Sequence, residues 1–347
     1  MESVAVPVVR FIAGDFWSSV KMRQVRVLCQ KTTTPVQVLE VAMEDDDSVR
    51  KVIKRIGLTD RRGRDSWREV FKEISFMGNV SHPHIMKMDW AVRCKGFVAI
   101  CMPLCSRGSL HDARQSLNSE QIERYFVQIA CALRYLHVRC AVHGDVKPGN
   151  IFLDNSNNAI LGDMGMSRFL AHGQDRVRSW SILGTRGFLA PEIMSDVTAD
   201  PFLTDAYALG ATLWCLVFKR NPRNWEDLLT AVESDSILLP RMGFYRFVLS
   251  RLVQNNPRLR LSVCDLLGFL RLRFERFRCL SYTTARNESR GQDAMGQLRA
   301  EGLEAKFHPL DITDHNSVIT LRDFLHDNYQ GLDILVNNAA IVFKIMI

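Results

Sequence analysis

The sequence changes texture twice along its length, and each change marks a different architecture. Over the first hundred residues, β-rich segments alternate with one strong helix. PVQVLEVAM and GFVAICMPL read as strands from their branched residues and turn-like flanks. DSWREVFKEISFMGNV reads as a helix with Asp65 as its N-cap and Trp67, Val70, Phe71, Ile74 and Met77 on one face. After SRGSL the chain is mainly helical apart from a loop-rich middle, and SEQIERYFVQIACALRYLH carries a continuous apolar stripe from Ser119 onward. Beyond a break near residues 277–281, strand and helix alternate: a second, different fold.

Composition narrows the class. At 47% hydrophobic and 24% charged, the chain has ordinary globular make-up and enough apolar residues for a sizeable core. The net charge of +7 is spread among interspersed signs, which does not suggest nucleic acid and fits a mild preference for anionic ligands. Nine cysteines, none in a CxxC pair, lie mostly in apolar segments and read as free thiols of a reducing compartment. The N-terminus has no basic region followed by a long apolar run, and the longest apolar stretch, Ala206 to Phe218, is too short to span a bilayer. The expected location is the cytoplasm, or the nucleus.

The loop-rich middle carries the chemistry. VHGDVKPGNIFL, beginning at Val142, crowds Asp145, Lys147 and Asn150 together, and Asp163 follows in LGDMG. Farther on come Ala190-Pro191-Glu192, Asp205 in TDAYALG and Arg260 in NPRLRLS, while Glu73 precedes HPHI. In this order, residues from about Phe11 to Phe277 resemble a eukaryotic-type serine/threonine protein kinase. His143-Gly144-Asp145 stands for the catalytic-loop motif, Asp163-Met164-Gly165 for the metal-binding motif, and Ala190-Pro191-Glu192 for the end of the activation segment. Asp205 and Arg260 look like the aspartate of a central C-lobe helix and the partner of Glu192.

The resemblance implies an α+β, bilobal protein-kinase-like fold over residues 1–277, with an N-lobe to about 102 and a C-lobe from about 106. It implies ATP and Mg²⁺, a protein substrate or client as partner, and neither nucleic acid nor membrane. Asp145 would accept the substrate hydroxyl's proton, Lys147 would neutralise γ-phosphate charge, and Asn150 and Asp163 would hold Mg²⁺ through hard oxygen ligands. Met102 stands at the gatekeeper position, with Leu104 and Cys105 supplying backbone contacts to adenine. Met164 is expected to fill the slot of the usual phenylalanine.

Three departures are legible. Gly144 replaces the arginine that pairs with an activation-loop phosphate, so modification at Ser179, Ser181 or Thr185 would lack its usual docking partner. FIAGDFWSSV, aligned on the glycine-rich loop, keeps Gly14, Phe16 and Val20, with Gly14 and Val20 as cofactor contacts, but has Ile12 and Trp17 where glycines are expected. Aligning PVQVLEVAM on the lysine-bearing strand puts Leu39 where the lysine should be and Gln37 at the alanine, which leaves Glu73 without its partner unless Lys51 or Lys54 reaches in from the helix side. The reading is therefore a serine/threonine kinase with a weakened ATP site, or alternatively a pseudokinase scaffold.

Residues 281–347 resemble a short-chain dehydrogenase of the carbonyl-reductase kind, carried by TTARNESRG, FHPLDITD and GLDILVNNAAIVFK. That resemblance implies a partial Rossmann-like α/β fragment in which Arg286 meets the 2′-phosphate of NADP, Asp311 touches adenine and Asn338 lies along the cofactor, with Ala340 where glycine is usual. No GxxxGxG turn precedes it, and no catalytic tyrosine and lysine follow its last motif, so hydride transfer is not expected of it.

Overall fold

The computed structural model describes residues 9–30, 36–59, 66–195, 197–223, 226–228, 242–273, 281–300, 305–311 and 313–329. The chain divides into two compact units, Met1–Leu267 and Gly268–Ile347.

The first unit opens with a six-stranded sheet. β1 (Arg10–Ile12) is followed by a short helix α1 (Phe16–Val20), then β2 (Met22–Gln30), β3 (Val36–Met43) and β4 (Arg50–Gly57). Helix α2 (Trp67–Gly78) intervenes before β5 (Trp90–Cys94) and β6 (Phe97–Pro103). The spatial order is β1-β5-β6-β4-β3-β2, antiparallel throughout except for the parallel pairing of β1 with β5. Leu39 and Val41 of β3 and Ala99 and Cys101 of β6, both strands legible in the sequence, pack with Ile53 of β4 in the sheet's core.

FIAGDFWSSV does not form a phosphate-binding turn. Asp15 accepts a hydrogen bond from Ser18 N at 2.8 Å and caps α1, which drives Phe16 into the sheet's core against Trp17 and Phe97, with ring centroids 4.9 and 5.4 Å away. Burying a phenylalanine in this way contributes about 1.5–3 kcal/mol. Trp17 is thus a packing residue, not a substitute for a loop glycine.

The rest of the unit is mainly helical. α3 (Leu110–Ala113) leads to α4 (Ser119–Val138), whose apolar stripe buries Ile122, Phe126, Ile129, Leu133 and Leu136. Its N-cap is Asn118, which forms a reciprocal capping box with Gln121. Short strands β7 (Ala141–Val142), β8 (Ile151–Leu153), β9 (Ala159–Leu161), β10 (Arg168–Phe169) and β11 (Val177–Arg178) frame the polar middle. They precede α5 (Glu192–Ser195), β12 (Thr198–Ala199) and α6 (Pro201–Phe218). Asp200 caps α6 through the Phe202 and Leu203 amides, Pro201 occupies its first turn, and Lys219 ends it at φ 58°. By length and composition α6 could cross a membrane, which corrects the shorter apolar run read from the sequence; most of it is buried inside this unit. Helices α7 (Met242–Leu252) and α8 (Val263–Arg273) follow.

In the second unit β13 (Ser281–Ala285) runs parallel to β14 (Ala305–Pro309), joined through α9 (Glu288–Ala300), and α10 (His315–Tyr329) comes after. Parallel strands with a helical crossover form the βαβ unit of an α/β sheet. Arg286 and Asp311 follow the two strand ends and approach within 3.8 Å. Asn338 and Ala340 lie outside the described residues.

Candidate active site

Lys54 on β4 donates to Glu73 Oε1 of α2 at 2.7 Å and to Asp163 Oδ1 at 3.1 Å. This corrects the expectation of a missing lysine. Leu39 belongs to the preceding strand, where it is wholly buried opposite Ile53, and Gln37 sits opposite Arg55. The lysine arrives one hairpin later, in Val52-Ile53-Lys54, so Glu73 has its partner. Burial works against the ammonium's charge, but Glu73 and then Asp163 outweigh it and hold Lys54 above the ordinary lysine value.

A second cluster forms in the catalytic-loop stretch. Asp145 Oδ2 accepts from Lys147 Nζ at 2.5 Å and from Asn150 Nδ2 at 2.9 Å, and Oδ1 accepts from Thr185 Oγ1 at 2.8 Å. Lys147 Nζ also donates to Thr185 Oγ1 at 2.6 Å. The Asn150 carbonyl receives the Gly162 amide at 2.8 Å, which ties the loop to the segment bearing Asp163. Asp163 sits in the left-handed region at φ 58°, ahead of a turn in which Met164 is fully buried, filling an apolar slot as the sequence implied.

Both clusters rest on buried polar supports. Asp205 accepts the His143 and Gly144 amides at 2.8 and 2.9 Å and lies 3.1 Å from His137 Nε2. Burial alone would raise its carboxyl, yet His137 above all, with His143 and the Gly144 amide, holds it below the usual carboxylate value. Arg260 makes a two-pronged pair with Glu192 at 2.6 and 2.9 Å while its guanidinium lies over Tyr207. Gly144 has φ 84°, and a Cβ there would stand 2.9 Å from the Met166 carbonyl, so glycine suits this position better than the arginine of the family pattern.

The structure therefore brings Glu73 and Asp163 to Lys54, and gathers Asp145, Lys147 and Asn150 with Thr185 in a second cluster tied to the Asp163 segment through the Gly162 amide. Met102 lies opposite Val52 on the strand beside β4, and Leu104 and Cys105 continue from the end of β6. Burial, and then Asp154, push the Cys105 thiol up to about 11, so it stays protonated. Gly14 and Val20 are not brought to this group: they line a separate cavity of about 730 Å³ with Ile74 and the Met88–Val92 stretch. Of the two lysines that sequence reading names as substitutes, Lys54 reaches Glu73 while Lys51 pairs with Asp89; Thr185, read as a modification site, has its hydroxyl engaged by Asp145 and Lys147.

For a divalent cation, the donors that fit are the Asp163 carboxylate, 37% exposed, and the Asn150 side-chain oxygen. The Asn150 amide nitrogen donates to Asp145, and this orientation reserves its oxygen for a metal.

The sequence model of the protein kinase domain family matches residues 37–267, two-thirds of the chain. This chain belongs to the protein kinase family. The cell cycle serine/threonine-protein kinase CDC5/MSD2 of Saccharomyces cerevisiae is 28% identical over 195 residues, 55% of this chain and 27% of that protein. The serine/threonine-protein kinase Nek1 of Mus musculus is 31% identical over 245 residues, 67% of this chain and 20% of its own length. CBL-interacting protein kinase 4 of Oryza sativa subsp. japonica is 29% identical over 204 residues, 56% of this chain and 45% of that protein. The chain thus spans less than half the length of each. Residues 276–346 match the short chain dehydrogenase model.

Proposed function

We propose that this chain transfers the γ-phosphate of ATP to a serine or threonine hydroxyl of a protein. The observation that carries this reading is the Lys54–Glu73–Asp163 chain of ion pairs standing with the Asp145–Lys147–Thr185 cluster. Asp145 receives the acceptor hydroxyl's proton as that oxygen forms its bond to the γ-phosphorus. The bond from phosphorus to the bridging oxygen breaks, and ADP leaves. Lys147 offsets charge on the moving group, and Lys54, locked by Glu73, offsets charge on the remaining phosphates. Bound Mg²⁺, held by Asp163 and Asn150, would supply Lewis-acid neutralisation of the phosphate oxygens. Leu104 and Cys105 offer backbone groups to adenine, with Met102 behind them. The named relatives are serine/threonine kinases, which supports the acceptor class.

One observation favours a scaffold instead. The sequence between β2 and β3, Lys31-Thr32-Thr33-Thr34-Pro35, holds no glycine, whereas the family's phosphate-covering segment, two strands ahead of the lysine strand, has several. Weaker cover of the phosphates follows from that sequence. The test is phosphate transfer by the full chain beside its Asp145→Asn variant. A rate at least a hundred-fold above the variant supports the kinase, and equal rates leave the scaffold.

A further inference from the structure

The charge around the acceptor side of the cleft selects the substrate, an inference that rests on the kinase reading of that same site. Thr185 touches Asp145, so the stretch after it forms the wall past which an acceptor segment must run. Gly187, at φ 90°, lies hard against the Pro222 carbonyl, and any side chain there would collide with it. This contact pins exposed Arg186 beside the turn that follows α6. Arg114 Nη1 reaches Asn221 of the same turn at 3.4 Å, and exposed Arg220 leans over the Trp214 ring.

Three arginines thus belong to segments that meet at the turn after α6. Among the described residues none of the three has a carboxylate within 4.0 Å, and the Arg114 Nε is buried without a hydrogen-bond partner. Carboxylates on the same elements are already engaged: Asp112 accepts from Ser109, which caps α3, and Asp227 is paired with Arg223. The loop bearing Asp145 adds no acidic side chain between Lys147 and Asn150, where Pro148 and Gly149 stand. Arg114 and Arg220 feel Asp112 and Asp227 at longer range, but cations still outnumber carboxylates on these segments, and such an excess attracts an acidic ligand and repels a basic one.

We infer that the rim of Arg186, Arg114 and Arg220 makes this chain select protein segments carrying aspartate or glutamate next to the acceptor hydroxyl. The test is fluorescence-polarisation binding of the full chain to two labelled peptides, one serine flanked by Asp and Glu, the other by Lys and Arg. The acidic peptide should bind at least about ten-fold more tightly, with the preference shrinking as salt rises. A protein of net charge +7 would favour acidic peptides anywhere on its surface, so the site is tested by Arg186→Glu and Arg114→Gln against the distant exposed control Lys95→Glu. Loss of preference in the rim variants but not in the control supports the inference; equal or inverted preference in the unmodified chain, or equal loss in the control, overturns it. Phosphate transfer to the same peptides, run alongside, tests the kinase reading separately: absence of transfer with the binding preference intact sinks that reading and leaves the charge selection standing.

Discussion

Lys54 Nζ lies 2.7 Å from Glu73 Oε1, and this contact joins the central strand of the sheet to α2. Both side chains are largely buried, so neither tolerates loss of the other. Lys54→Met should destabilise the first unit by about 3–5 kcal/mol, the cost of stranding one member of a buried pair. Phosphate transfer should fall by about a hundred-fold, equivalent to about 2.7 kcal/mol of lost barrier reduction. Denaturant unfolding and a transfer assay on the same preparation check the two effects.

Thr185 holds Asp145 and Lys147 in one geometry through its hydroxyl. Thr185→Ala should lower the turnover rate by about ten-fold or more, whereas Thr185→Ser, which keeps the hydroxyl, should retain most of it. If Thr185 served as a modification site instead, Thr185→Ala would abolish phosphate incorporation there without slowing an unmodified preparation.

Arg260 is wholly buried against Glu192 and also donates to the Leu203 and Gln254 carbonyls. Arg260→Leu should cost about 3–5 kcal/mol in unfolding free energy, since it leaves a buried carboxylate unpaired. Arg260→Leu together with Glu192→Leu should recover part of that loss, which a double-mutant cycle measures.

Gly144→Arg restores the family pattern in sequence but meets a left-handed backbone and the Met166 carbonyl. The expected result is a loss of about 1–2 kcal/mol in stability rather than a gain in activity. Urea unfolding of the variant decides this.

His82 stacks on Tyr135, and its Nδ1 accepts the His84 amide, which requires a neutral ring. Burial and then the neighbouring His84 lower its pKa to about 4 from the ordinary 6.5. The folded ring therefore takes its proton later than the unfolded one. Its contribution is fully present above pH 6.5 and is lost as pH falls from there toward 4. Melting curves of the wild type and of His82→Phe should converge across that window as it is descended.

Much of this site was legible because its residues are constrained by chemistry. Glu73, Asp145, Lys147, Asn150 and Asp163 stand in a fixed order, and the structure gathers them into two polar clusters, one on Lys54 and one on Asp145. The N-terminal lobe reads one hairpin out of register because β3 and β4 are both eight-residue strands with branched residues; β4 holds both Lys51 and Lys54, and only tertiary contacts send Lys51 to Asp89 and Lys54 to Glu73. FIAGDFWSSV was mistaken for a phosphate loop because its fate depends on an Asp15 cap and on Phe16 finding Phe97, more than eighty residues later. The engagement of Thr185 by Asp145 is likewise a contact across 40 residues, invisible to local pattern.

The cleft built around Lys54 should bind Mg-ATP. Thermal unfolding of the full chain, with and without Mg-ATP, tests it beside Lys54→Met. Ligand at a hundred times its dissociation constant stabilises a fold by about 2.7 kcal/mol. A rise in Tm that requires magnesium and is lost in Lys54→Met is the predicted result. No rise in the wild type, or an equal rise in the variant, would contradict it.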